Sequence, residues 1–224
     1  MKVIVFDLGG TLMEYIGMPH SWINFYKQGV EHIVEKNKYN ISKKEIEETI
    51  NILKSFNPRI NYREIEYPAE YIFTKAFQHW NVNISIKNCI DEFWSGLRLK
   101  AVIFKDTIPV LSRLKKQGYI ISTLTDLPSA MPDYIFKKDI QKLTNYFDYY
   151  VSSEISGYRK PNSKGLEMIA EKHGIPVENI IFVGDEEKDK ETALNFGCRF
   201  IQINRAEIKE GCINSLDELI NIIT

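Results

Sequence analysis

From residue 107 onward the chain alternates between helical and strand periodicity, and this alternation limits the possible folds more than any other feature. Residues 107–117 read as a helix closed by Gly118, a residue suited to a helix C-terminus. Residues 119–124 (YIISTL) form a strand ending in Thr125-Asp126, and a helical stretch follows at 135–143. Strand 147–152 leads to helix 163–173, which Gly174 and Pro176 stop. Strand 180–183 ends at Gly184-Asp185, and then come helix 190–196, strand 199–203 and a closing helix at 215–223. Strands separated by helices build βαβ units with right-handed crossovers and a parallel sheet, so the expected class is α/β.

The first twelve residues, MKVIVFDLGGTL, supply one more strand of that sheet. Val3, Ile4, Val5 and Phe6 form an unbroken apolar run rich in β-branched residues, the mark of a strand covered on both faces. Residues 14–19 read as a short connection, and the character then changes for about 80 residues. A helix at 21–36 carries Trp22, Phe25, Tyr26, Val30, Ile33 and Val34 at helical spacing. Ser42 with Glu45 forms a capping box before the stripe Ile46, Ile50, Leu53. Residues 56–68 contain two prolines and read as a loop. Helices resume around Tyr71, Ile72, Ala76, Phe77 and Trp80, and again around Ile90, Phe93, Trp94 and Leu97. The expected organisation is an α/β core of residues 1–14 and 104–224 that carries an all-α insertion at 15–103.

Charge and composition remove several functional classes. With 29 basic and 30 acidic residues, the chain shows no basic stripe for a nucleic-acid backbone. Its apolar runs are strand-sized, so no membrane span is expected, and it begins directly in a strand and not in a secretory signal. Cys89, Cys198 and Cys212 have no metal-type spacing, and the four histidines are scattered. A cytoplasmic protein without zinc is expected.

Asp7, Thr125 and Asp185 stand at the ends of three inferred strands, on one edge of the sheet. Asp189 lies four residues past Asp185 in GDEEKD, and Lys160 sits in GYRKP. Carboxylates gathered at one edge repel each other unless a cation stands among them. A few hard oxygen ligands suit Mg²⁺, and a hydroxyl, an ammonium and glycine N–H groups are donors for a phosphoryl group.

These segments resemble the four motifs of the haloacid dehalogenase (HAD) superfamily: FDLGGTL, Thr125 after YIISTL, Lys160 in GYRKP, and VGDEEKD. The resemblance covers residues 1–13 and about 104–224 and implies a Rossmann-like core. The helical insertion lies where that family carries a C1-type helical cap. By resemblance Asp7 is the nucleophile that attacks phosphorus and Thr125 binds a phosphoryl oxygen. Lys160 neutralises charge on both, and Gly10 and Asp126 belong to the phosphate-binding set. Asp7, the Gly9 main chain, Asp185 and Asp189 would hold Mg²⁺, with Asp189 acting directly, through water, or by orienting Lys160. The implied activity is phosphate hydrolysis of a small phosphorylated metabolite by a monomer or homodimer.

One residue departs from the family pattern. Gly9 stands where the family's phosphatases carry a second Asp that protonates the leaving group, work worth about 10²–10⁴ in rate. The chain is therefore a phosphatase that is slow, borrows a base or takes a good leaving group, or it is a phosphonatase- or dehalogenase-type hydrolase, or a binding protein whose catalysis has lapsed. The acidic fourth motif argues against dehalogenation, which needs no Mg²⁺. A phosphonatase would need a lysine from the insertion, and Lys27, Lys36, Lys38, Lys43 and Lys54 are all present. Glu14, His20 and Asp126 are the candidates for a borrowed base. Arg59, Tyr62 and Arg63 of the 56–68 loop are candidates for reading the substrate, whereas Trp22, Trp80 and Trp94 fit the core of the insertion.

Overall fold

A computed structural model describes residues 2–18 and 22–223. Its main sheet has six parallel strands in the order β5-β4-β1-β6-β7-β8. They are β1 (Val3–Phe6), β4 (Ile120–Thr125), β5 (Tyr149–Ser152), β6 (Ile180–Gly184), β7 (Arg199–Ile203) and β8 (Cys212–Ile213). β1 is fully buried, as its apolar run requires, and its two faces feed different layers. Ile4 and Phe6 join Ile121, Val183 and the helices α5 (Thr107–Lys116) and α10 (Leu216–Ile223). Val3 and Val5 join Phe182 and the helices α8 (Lys164–His173) and α9 (Glu187–Phe196). Period-two alternation thus sends neighbouring side chains of one strand into two separate cores.

Among the described residues, four α-helices follow β1 before the chain returns to the sheet: α1 (Tyr26–Asn37), preceded by a 3-10 turn at Ile23–Phe25, α2 (Lys43–Ser55), α3 (Ala69–Phe77) and α4 (Ile86–Gly96). They pack in the order α2, α3, α4 and back to α1. The capping box at Ser42 is formed, with both the Ser42 hydroxyl and the Glu45 carboxylate engaged. Such a cap stabilises a helix start by about 1 kcal/mol. The apolar stripes of these helices, including Val30, Ile50, Phe73 and Phe93, continue into the cluster under the sheet.

The segment read as a plain connection contains a strand. β2 (Met13–Tyr15) pairs antiparallel with β3 (Ala101–Ile103), so a two-stranded ribbon carries the chain into the helices and back. Three-residue strands are too short to print a period-two signature. Helix α6 (Asp133–Asp139) and a single 3-10 turn at Thr144–Tyr146 replace the one helix expected over 135–143. The short helix α7 (Ser153–Ser156) and β8 are likewise below the length at which periodicity is legible. Helix α9 begins three residues early, because Asp189 and Glu186 form a capping box that places Asp189 in its first turn.

Candidate active site

The strand order sets the site. β1 lies between β4 and β6, so Asp7, Thr125 and Asp185 emerge side by side at the C-terminal edge of the sheet. Ligands of open α/β sheets bind in the crevice at this edge. The main chain of Asp7 is pinned by its N–H to the Val183 carbonyl at 2.9 Å. Thr125 closes β4, is buried, and lines the same cleft.

Lys160, buried in the loop after α7, reaches across to the acids. Its Nζ is 2.6 Å from Asp7 Oδ1 and also donates to Asp189 Oδ1. Asp189 is fully buried, and its other oxygen accepts from the Glu186 N–H at 2.9 Å. One ligand oxygen from each of Asp7, Asp185 and Asp189 lies within 4.8 Å of the others. Two glycines permit this crowding. A Cβ on Gly10, whose φ is +76°, would lie 2.2 Å from Asp185 Oδ2, and one on Gly184 would lie 2.5 Å from Asp189 Oδ2.

Burial pushes the Asp7 carboxyl well above its ordinary pKa; Lys160 opposes the shift, and Asp189 and Asp185 add to it. Asp185 is pushed up to about 6 by burial and by the nearby Asp189 and Glu186, against Lys160 and the Thr11 hydroxyl. Three carboxylates thus share one ammonium. Their hard oxygen donors suit a divalent cation such as Mg²⁺, whose charge would offset their mutual repulsion.

Asp126 behaves differently from the other acids. Burial would raise its pKa, but Lys188, Arg159 and Lys160 together hold it far below the usual carboxylate range. Oδ1 accepts the Lys160 N–H at 3.0 Å and Oδ2 accepts Lys188 Nζ at 3.2 Å. With both oxygens engaged by donors this carboxylate is a weak base, and because it is ionised it cannot donate to phosphate, so its main-chain N–H is what remains for the expected phosphate contact. The N–H of Gly10, expected among the phosphate donors, is directed instead to the Met13 carbonyl at 2.8 Å. Of the other candidate bases, Glu14 is exposed and lines the cleft, and His20 lies outside the described residues.

The cleft has a volume of about 1010 Å³ and continues under the 56–68 loop, from which Arg59, Tyr62 and Arg63 line it. Arg63 is committed to the Phe56 carbonyl and to Glu66, whereas Arg59 pairs with Glu186 at 2.6 Å. Trp80 and Trp94 are buried and donate to Thr49 Oγ1 and the Ala130 carbonyl. Trp22 packs edge-to-face on Trp94 as expected, yet it also lines the cleft. The lysines lining the cleft are Lys160 and Lys188, so among the described residues none comes from the inserted helices.

Sequence reasoning missed Arg159, Lys188 and Arg205. Arg159 is buried, donates to the Leu127 carbonyl at 2.9 Å, and pairs with Glu66 across 93 residues of sequence. The same seam is sewn by main-chain bonds, Glu66 N–H to Gly157 O at 2.9 Å and Arg159 N–H to Glu64 O at 2.6 Å. The one available signal was position, since Arg159 and Lys188 each precede a residue singled out for chemistry.

A model of the family described as haloacid dehalogenase-like hydrolase matches residues 1–197. A phosphoglycolate phosphatase of Aliivibrio fischeri is 28% identical over 96 residues, which make up 43% of this chain and 41% of that protein. That match therefore spans less than half of the relative's length. An (S)-2-haloacid dehalogenase of Pseudomonas fluorescens is 26% identical over 217 residues, 95% of this chain and 87% of that protein. Among solved structures, a HAD phosphatase from Thermococcus onnurineus has the same fold, with a TM-score of 0.65 at 21% identity over 100% of this chain and 98% of that one.

Proposed function

The chain belongs to the haloacid dehalogenase-like hydrolases, and from that premise we propose that it is a Mg²⁺-dependent phosphohydrolase acting on a small phosphorylated metabolite. The observation that carries the reading is the cluster of Asp7, Asp185 and Asp189 beside Lys160, with Asp7 and Asp189 buried and Asp185 half-buried, an arrangement short of positive charge. In this reading an Asp7 carboxylate oxygen attacks phosphorus in line, the bond from phosphorus to the leaving oxygen breaks, and an aspartyl-phosphate forms. Water then attacks that phosphorus and releases inorganic phosphate and Asp7. Lys160 and the Thr125 hydroxyl hold the charge that grows on the phosphoryl oxygens. Asp189 keeps Lys160 turned toward Asp7. Asp7, the Gly9 carbonyl and Asp185 would hold Mg²⁺, which when bound supplies the positive charge that lets an anionic phosphate approach a carboxylate.

The inserted helices serve as the cap, and Arg59 and Tyr62 of the 56–68 loop face the leaving group. A phosphonatase is disfavoured because the lysines in the cleft come from the core. Dehalogenation is the rival that the long match to a haloacid dehalogenase favours. Turnover of p-nitrophenyl phosphate separates the readings. The expected result is hydrolysis that requires Mg²⁺, stops with a chelator, and is lost in Asp7→Asn. Metal-independent halide release from a 2-haloacid would overturn the proposal. So would binding of phosphate and Mg²⁺ without turnover of any phosphate ester.

A further inference from the structure

Arg205 lies beyond the span of the family match and outside every motif read from the sequence, yet its guanidinium is spent on the loop that follows Asp7. Nε and Nη2 donate to the Thr11 carbonyl at 3.0 and 2.7 Å. Nη1 donates to Asp106 Oδ2 at 3.0 Å, and the guanidinium carbon stands 4.0 Å from the centre of the Phe104 ring. Asp106 is in turn fixed by the Leu216 N–H at 2.7 Å. The guanidinium is therefore held on three sides, in the planar, forked geometry that a lysine ammonium cannot reproduce.

Thr11 links this clamp to the site. It is fully buried, its carbonyl faces Arg205, and its hydroxyl donates to Asp185 Oδ1 at 3.1 Å. Among the described residues, the donors to that carbonyl both belong to Arg205. A buried carbonyl that loses its donors moves or admits water, and the hydroxyl of the same residue moves with it. We propose that Arg205 is a positioning residue for Asp185, acting through Thr11 to hold that carboxylate in the orientation in which it takes a divalent cation. The inference rests on the metal reading given above.

The test is direct Mn²⁺ binding, monitored by electron paramagnetic resonance on the full chain, which reads the site without turnover. Arg205→Met keeps the apolar stem and removes the donors, and Thr11→Val removes only the hydroxyl. Each is expected to weaken Mn²⁺ binding about 10-fold or more, the usual range for partners of a ligating carboxylate. Arg205→Lys falls between wild type and Arg205→Met. The double variant binds no more weakly than the weaker single, because both changes break one chain of contacts. Wild-type Mn²⁺ affinity in folded Arg205→Met, with only a lower melting temperature, would reduce Arg205 to a structural part and sink the inference. Losses that multiply in the double variant would do the same. Thr11→Val decides the matter even if Arg205→Met does not fold, since undiminished Mn²⁺ binding there breaks the proposed link. Failure of the wild type to bind Mn²⁺ overturns the metal reading itself, and the positioning role falls with it.

Discussion

Asp7 and Asp126 follow adjacent strands of one sheet, have side chains only 8% and 6% exposed, and both lie close to Lys160, yet their environments push them in opposite directions. Asp7 faces two further carboxylates and one ammonium. Asp126 faces Lys188, Arg159 and the Lys160 loop. The first region is a cluster whose charges do not balance without a ligand. The second is balanced already and ties the loops after β4 and α7 to the first turn of α9. Burial and carboxylate identity are common to both, so the sign of the surrounding charge decides which acid is a reagent and which is a joint.

That contrast is broken or sharpened by three substitutions. The largest effect is expected from Asp126→Asn, which leaves Arg159 and Lys188 short of a counter-charge and costs about 3 kcal/mol of unfolding free energy in urea titrations. Asp7→Asn in the metal-free protein is expected to leave stability unchanged or raise it, because it removes one of three like charges. A neutral Asp126→Asn, or a strongly destabilising Asp7→Asn, would erase the distinction.

Gly9→Asp sharpens it from the catalytic side. A Cβ at Gly9 meets nothing within 4 Å, so the site has room for the acid that the family's phosphatases carry. Hydrolysis of alkyl phosphates is expected to rise about 100-fold, while p-nitrophenyl phosphate, whose leaving group needs little protonation, changes far less. Equal gains on both substrates would show that the missing acid is not what limits the enzyme.

The smallest effect is a pH dependence. The folded carboxyl of Asp126 lies below its unfolded value, so its contribution to stability is present above the ordinary carboxylate pKa of about 4 and is lost as pH falls below it. Melting temperatures measured between about pH 5 and pH 2 should fall more steeply in the wild type than in Asp126→Asn. Parallel curves would mean that Asp126 is not held down in the fold.

Much of the molecule is legible in its amino-acid sequence. A strand covered on both faces is mostly apolar along its length, so β1 and β6 announce themselves, and β4 does so by its β-branched run despite buried Ser122 and Thr123, as do the polar residues where each one ends. The capping box at Ser42 and the glycine at 174 are equally local signals. The ribbon β2–β3, the short helix α7 and the edge strand β8 are not legible, because two to four residues carry no period. The early start of α9 is hidden for another reason. Its first turn is acidic and polar, and the capping box that creates it is formed by the same Asp189 that serves the site.

Sequence alone determined which residues stand at the carboxyl edge of the sheet, since strand ends and motif spacing are properties of the chain read in order. It also determined that position 9 has no side chain to donate a proton. The tertiary structure decided what each charge faces. Arg59 meets Glu186 across 127 residues, Arg159 meets Glu66 across 93, and Arg205 meets Thr11 across 194. Electrostatic energy depends on distance in space and on exclusion of water, and neither is written in the local pattern. For that reason the opposite electrostatics of Asp7 and Asp126, both acids just past strand ends, appear only when the chain is folded.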